Sequence, residues 1–235
     1  MIRLYNILIV TIGILLPIGA HSQKDFELWA GSNFRYKVSK EFKFGLKLES
    51  RFKSNVTEVS QTFLSPYMQY DPSDHVRIGI DYRLANRPQS TFFGEHFTHR
   101  MTLDLAFRDL TKGIRALKRF NLNTRIRYTH ATRIGGELNN DNLRLRFKVD
   151  YNLPNTKLEP HIAASIFYHF NDQIRYVGNE VQTDHRFNKY RLRVGANYPI
   201  DKQQTIGLFY MIQPEIDGPE STYVLSFGYS YKLKK

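Results

Sequence analysis

Leu143-Arg144-Leu145-Arg146-Phe147-Lys148-Val149-Asp150-Tyr151 is the stretch that decides how this chain folds. Apolar and charged side chains alternate through it without a slip. A helix would scatter them around its circumference, whereas a strand points successive side chains to opposite faces. One face of this segment is then wholly apolar and the other wholly charged.

The same period of two recurs along the chain. Phe42, Phe44, Leu46 and Leu48 alternate with Lys43, Gly45, Lys47 and Glu49. Val76 to Leu84, Phe97 to Phe107, Phe120 to Tyr128, Tyr190 to Tyr198 and Tyr223 to Tyr231 repeat the pattern. Weaker strands fit at 26–37, 59–70, 158–170 and 204–213. Pro66 has no N–H to give a ladder, so a bulge or local break is expected there. Short polar turns fall at Ser39-Lys40, Asp71-Pro72-Ser73-Asp74, Pro154-Asn155-Thr156 and Asp201-Lys202. Longer loops, about 53–58, 86–95, 131–141, 171–184 and 214–221, separate the pairs. The count is eleven strands. Bacterial barrels carry an even number with both termini on the periplasmic side, so ten or twelve are expected. Segment 26–37 is the weakest strand, and 109–119 is the place for a short extra one.

Alternation alone fits both a lipocalin-like barrel, greasy inside, and a membrane barrel, greasy outside. Three features favour the second. Aromatic residues mark the stripe ends: Phe42, Tyr70, Phe107, Phe120, Tyr151 and Tyr198 beside short turns, and Phe52, Tyr82, Phe97, Tyr128, Tyr168 and Tyr190 toward long loops. Two such girdles suit two membrane–water interfaces. The strands have the roughly 9–11 residues that cross a bilayer when tilted. An interior of this width is filled by polar groups and water rather than by single Leu or Phe side chains. The expected fold is an all-β, antiparallel transmembrane β-barrel of 10 to 12 strands.

Composition agrees. The 235 residues are 41% hydrophobic and 14% aromatic, which excludes a disordered chain. With no cysteine, disulfide scaffolds, Cys-based zinc sites and thiol nucleophiles are excluded. Residues 1–22 read as a signal peptide: Arg3 precedes the apolar run Ile7 to Leu16, and Ala20-His21-Ser22 offers a cleavage site before Gln23. Residues 23–235 then form one barrel domain, in the outer membrane of a Gram-negative bacterium.

Certain segments carry a resemblance. Phe26-Glu27-Leu28-Trp29, Leu46-Lys47-Leu48-Glu49-Ser50-Arg51, Ile80-Asp81-Tyr82 and Glu95-His96-Phe97-Thr98-His99-Arg100 resemble a domain-of-unknown-function family of outer-membrane barrels common in Bacteroidota. The resemblance implies a barrel and an outer-membrane location, with no activity to carry over. Tyr229-Ser230-Tyr231-Lys232-Leu233 resembles a signal read by barrel-assembly machinery, and Lys234-Lys235 departs from its usual aromatic end.

The charge of +12, from 34 Lys+Arg against 22 Asp+Glu, must reside somewhere. Under the barrel reading Arg77, Arg83, Arg100, Arg125, Arg127, Arg144, Arg146, Arg191 and Arg193 face inward. The acids beside them are Glu49, Asp81, Asp104 and Asp150, too few to pair every base. Two readings stand: a structural barrel plugged by Arg–carboxylate ladders, or a narrow pore that attracts small anions. Arg87, Arg133, Arg175 and Lys189 are placed in long loops, where they would meet lipopolysaccharide and outer-membrane lipid phosphates. Bases dispersed on strand faces behind a signal peptide do not suit nucleic acid.

An alternative is a lipid-active enzyme at the extracellular rim. His96, His169 and His185 share the inward parity near the long loops, with Glu95, Asp172 and Asp184 alongside. No metal or nucleophile signature accompanies them, and Ser165 lies about 13 Å from His169 along a strand. Asn139-Asn140-Asp141-Asn142 reads as a polar loop tip. No cofactor and no metal are expected.

Overall fold

Each strand follows from the alternation just described. The computed structural model describes residues 25–88, 96–133, 139–170, 173–177, 180–184, 187–214, 216 and 221–233. In chain order the strands are β1 Phe26–Lys37, β2 Phe42–Lys53, β3 Glu58–Tyr70, β4 Val76–Arg87, β5 His96–Phe107, β6 Phe120–Arg133, β7 Asn139–Tyr151, β8 Glu159–His169, β9 Gln173–Val177, β10 Glu180–Asp184, β11 Phe187–Pro199, β12 Gln204–Pro214 and β13 Ser221–Leu233. Eleven of them close into a barrel in the order β1-β13-β12-β11-β8-β7-β6-β5-β4-β3-β2, and β9 pairs with β10 separately.

The closure corrects two expectations. The barrel is mixed rather than wholly antiparallel, because β1 pairs with β13 in parallel from Phe26↔Tyr223 to Tyr36↔Leu233. The even count also fails. Consecutive strands run in opposite directions, so an odd number leaves the first and last pointing the same way. Parallel closure is the only closure available to them, and it puts the two ends of the barrel chain at opposite rims. Segment 26–37 is a full strand, bonded to β2 as well as β13.

The connections differ in three places. Segment 109–119 holds no strand; it is a run of turns with a short 3-10 helix at Arg115–Leu117. Residues 54–57 form a tight turn rather than a long loop, with positive φ at Ser54, Asn55 and Val56. The expected loop 171–184 contains the β9–β10 hairpin. Pro66 acts as its missing N–H requires. The β3–β4 register runs through Leu64↔Leu84, omits Ser65 and Pro66, and resumes at the same offset with Tyr67↔Asp81.

Burial shows which face is which. Leu103 is 52% exposed and Ile162 is 66% exposed on the outside, whereas Arg83 retains only 9%. Phe147, Leu192, Val194 and Leu208 are likewise exposed outward, while Ser65, Thr102 and Thr129 are buried inward. This polarity makes the chain a transmembrane β-barrel, since such an apolar band belongs against lipid. Cross-strand aromatic pairs rim the band. Phe42–Tyr70 and Phe120–Tyr151, with centroids 4.8 and 5.0 Å apart, lie at the short-turn end. Tyr168–Phe187 and Tyr210–Tyr223, at 5.3 and 6.3 Å, lie at the other.

One inward residue is fixed by the lack of a side chain beside it. The Tyr67 ring reclines over Gly45, and its hydroxyl donates to Asn33 Oδ1 at 2.9 Å. A Cβ on Gly45 would collide with that ring.

Two outcomes test this wall. Leu103→Arg, near mid-depth on the outer face, is expected to cost about 2–4 kcal/mol in denaturant titration of the barrel refolded in phosphatidylcholine vesicles. A cost near zero would remove the lipid-facing assignment. Gly45→Ala is expected to displace the Tyr67 ring and cost about 1–3 kcal/mol, as overpacking does; Gly45→Ala combined with Tyr67→Ala should recover part of that loss.

Candidate functional site

A basic strand face folded into a cylinder brings together charges distant in sequence. Bare guanidinium groups inside low-dielectric walls are costly, so their partners define the site. Those partners differ between the two halves of the lumen.

At the short-turn end, carboxylates organise the bases. Asp71 sits in the 71–75 turn and points back beneath the barrel. Its Oδ1 and Oδ2 accept hydrogen bonds from Arg77 Nε at 2.6 Å and Nη2 at 3.0 Å. Lys43 also pairs with it, and Arg108 lies 3.5 Å away. Burial acts to raise the Asp71 pKa, but the hydrogen bonds from Arg77 and Lys43 prevail and hold it well below the ordinary carboxylate range. Farther in, Arg127 forks onto Asp104 through Nε and Nη2, both at 2.6 Å, and Arg125 lies 3.7 Å from the same carboxylate. Lys47 pairs with Asp81 at 3.1 Å, and Lys148 with Asp150. A cavity of about 200 Å³ lies here, lined by Arg77, Arg108, Arg125, Arg146 and Lys148 together with Asp104 and Asp150.

Toward the long loops the balance changes. A cavity of about 320 Å³ is lined by nine arginines and Lys189, with no carboxylate among the described residues of its wall. Seven of the arginines expected from sequence lie there: Arg83, Arg100, Arg127, Arg144, Arg146, Arg191 and Arg193. Arg77 and Arg125 belong to the smaller cavity, and Arg146 lines both. Arg51, Arg87 and Lys189 complete the cationic lining. The structure therefore corrects the loop placement of Arg87 and Lys189, which sit at strand ends and face this cavity.

Here aromatic rings flank most of the guanidinium groups, and Arg51 also donates to Glu49 Oε1 at 2.7 Å. The Arg83 guanidinium lies 3.5 Å from the Phe63 ring centroid and Arg51 3.7 Å from that of Trp29. Arg191 and Arg144 flank Phe167 at 4.6 and 5.3 Å, and Arg193 lies 4.6 Å from Phe209. These rings were missed at the sequence level, although inward parity of the weaker strands 26–37, 59–70, 158–170 and 204–213 was the available signal. A cation–π contact is worth about 2 kcal/mol when desolvated. Burying a charge costs several kcal/mol. Stacking orders these groups without neutralising them. Among the described residues Arg83, Arg100, Arg144, Arg146 and Arg193 have no carboxylate at ion-pair distance. The Nε atoms of Arg83, Arg144 and Arg193 are buried without a hydrogen-bond acceptor there.

Of the three rim histidines, His169 is buried and lines the larger cavity. His96 lies on β5, opposite Arg87, with β6 and β7 between it and the strand of His169. The side chain of His96 and the whole of His185 fall outside the described residues, as do the side chains of Arg133 and Arg175 and the proposed signal peptide 1–22. No group of three or more His, Asp or Glu side chains suited to a metal occurs among the described residues. Segment 139–142 is strand rather than loop tip: Asn140 and Asn142 line the cavity, and Asp141 accepts from the Tyr128 hydroxyl at 2.6 Å on the outside.

The sequence profile of a family described as "Protein of unknown function (DUF2490)" matches residues 26–221. No curated protein matches. Among solved structures, the chain is similar to the NanC porin, at 14% identity over 90% of this chain and 100% of that one, with a TM-score of 0.47. It is also similar to the translocator domain of the autotransporter NalP from Neisseria meningitidis, at 9% identity over 77% of this chain and 71% of that one, with a TM-score of 0.40.

The Asp71 cluster yields a pH test. Its folded pKa is depressed, so its stabilisation is complete above the ordinary carboxylate pKa of about 4 and declines as pH falls below it. The Tm difference between wild type and Asp71→Asn is expected to be constant from neutral pH to about 5 and to shrink below about 4. A difference that grows on acidification would contradict the cluster.

Proposed function

The chain belongs to the DUF2490 family of proteins of unknown function, and from that premise we propose an outer-membrane barrel whose lumen is a narrow, anion-preferring pore. Residues 1–22 would direct export, the barrel-assembly machinery would insert the strands, and the long loops would face outward beside lipopolysaccharide.

The observation that carries the reading is the larger cavity, lined by ten cationic side chains with no carboxylate among the described residues of its wall, although Arg51 and Arg127 pair with Glu49 and Asp104. A deprotonated guanidine is not an available escape, because arginine stays charged. The field of such a ring raises the local concentration of anions and repels cations. The paired bases of the short-turn half reduce that field, so selectivity is set mainly by the upper ring. The boundary between the halves is the Arg127–Asp104 fork, which places one matched pair beside the shared Arg146. This arrangement supports passage for small solvated anions rather than for large solutes.

No observation among the described residues favours a lipid-active enzyme at the rim. His169 and Ser165 share the inward face of β8, separated by the span of four strand residues, and among the described residues no carboxylate bonds to His169.

Planar-bilayer recording of the purified protein in a KCl gradient tests the proposal. The reversal potential is expected to take the sign of chloride selectivity. Arg144→Gln with Arg193→Gln should move it toward zero, since each substitution removes a charge without an ion-pair partner. Absence of conductance, or a cation-signed potential in the wild type, would overturn the pore reading.

A further inference from the structure

We propose that the β5–β6 connection forms a binding site for an anionic glycerophospholipid at the short-turn rim of the barrel. The inference stands on the barrel's lipid-facing band and is independent of conductance through the lumen.

The connection is held in place from one side. Leu110 N–H donates to Leu122 O at 3.0 Å, Asp109 N–H to Asn123 Oδ1 at 3.2 Å, and Asn152 N–H to Arg119 O at 2.8 Å. Between these anchors residues 112–118 project from the rim. The 3-10 turn at Arg115–Leu117 buries none of its residues. Leu110 is 46% exposed, Ile114 49% and Leu117 37%, an unusual set of apolar side chains for a polar rim. Water is a poor neighbour for them, and the apolar band of the barrel wall begins immediately beside them at Phe120.

Two adjoining clefts, of about 620 and 530 Å³, follow this segment and share Arg115, Lys118 and Phe120. The second is also lined by Arg119 and Tyr151. Phe120 and Tyr151 form one of the ring pairs of the short-turn girdle, tilted at 45° to each other. Apolar groups and bases are thus sorted as a membrane lipid sorts its own parts. Acyl chains would lie along the outward residues of β6 and β7, and the phosphate would meet Arg115, Lys118 and Arg119. The Asp109 carboxylate accepts from Asn121 Nδ2 at the wall of the first cleft, and the bases Lys112, Arg115, Lys118 and Arg119 outnumber it across the two clefts. Short turns mark the periplasmic side of such barrels, so the phosphate belongs to a glycerophospholipid of that leaflet rather than to lipid A.

Native mass spectrometry of the full-length protein in neutral detergent, with phosphatidylglycerol or phosphatidylcholine added, tests the site. The wild type is expected to retain phosphatidylglycerol preferentially. Arg115→Gln, Lys118→Gln and Arg119→Gln should each weaken that retention by about fivefold. Ile114→Asn with Leu117→Asn should weaken retention of both lipids. Heat-modifiable migration confirms that each variant is a folded barrel. Equal retention of the two lipids by the wild type, a triple Gln variant that retains phosphatidylglycerol undiminished, or retention of lipid A alone would overturn the proposal. So would a protein dimer that Ile114→Asn disperses without any bound lipid.

Discussion

Backbone hydrogen bonding in lipid is the constraint from which the rest follows. A strand N–H or C=O facing hydrocarbon has no water to turn to, so a sheet in a membrane must close on itself. In this chain the closing seam is β1 with β13, and its parallel register runs the length of both strands. Once the sheet is closed, each strand has one face against lipid and one toward the lumen. The charge pattern of the chain is then no longer a matter of choice. A base on the outer face would be expelled, so nearly all strand bases share one enclosed volume.

That volume handles its charge in two ways. In the short-turn half, few carboxylates each serve several bases: Asp71 gathers Lys43, Arg77 and Arg108, and Asp104 gathers Arg125 and Arg127. In the long-loop half, rings of Trp29, Phe63, Phe167 and Phe209 support guanidinium faces without cancelling their charge. The first arrangement braces the wall. The second keeps cations fixed in direction and positive in field, which is what a site for anions requires. The same chemistry appears on the outside of the rim, where bases and exposed apolar groups of the β5–β6 connection meet the membrane edge.

Much of this was legible from sequence because its cause is local. Side-chain alternation along 42–48, 76–84, 120–128 and 143–151 needs no tertiary information to assign a face. The greasy-outside choice was also legible, since Tyr and Phe clustered at stripe ends. Strand boundaries at 26–37 and 204–213 came close for the same reason. The parity of the barrel was not legible. The alternation yields eleven strands, but no local feature says whether the first and last of them meet in parallel or antiparallel. The 109–119 segment mixes apolar and basic residues without a period, and its form depends on hydrogen bonds to β6 and to Asn152.

By itself the sequence determined the strands, the two faces and the predominance of base over acid on one of them, because each is set by neighbours one or two residues apart. Only the tertiary structure decided which bases meet a carboxylate, which meet an aromatic ring and which meet neither. Some partners face each other across consecutive strands, as Trp29 with Arg51 and Asp104 with Arg127 do; others, such as Trp29 on β1 with Arg191 on β11, meet only because the barrel closes. A turn residue such as Asp71 could not be counted as a lumen acid until the turn was seen to fold back beneath the wall. For a contact such as Trp29 with Arg191, distance around a closed cylinder rather than along the chain decides, and that distance exists only after the seam has formed.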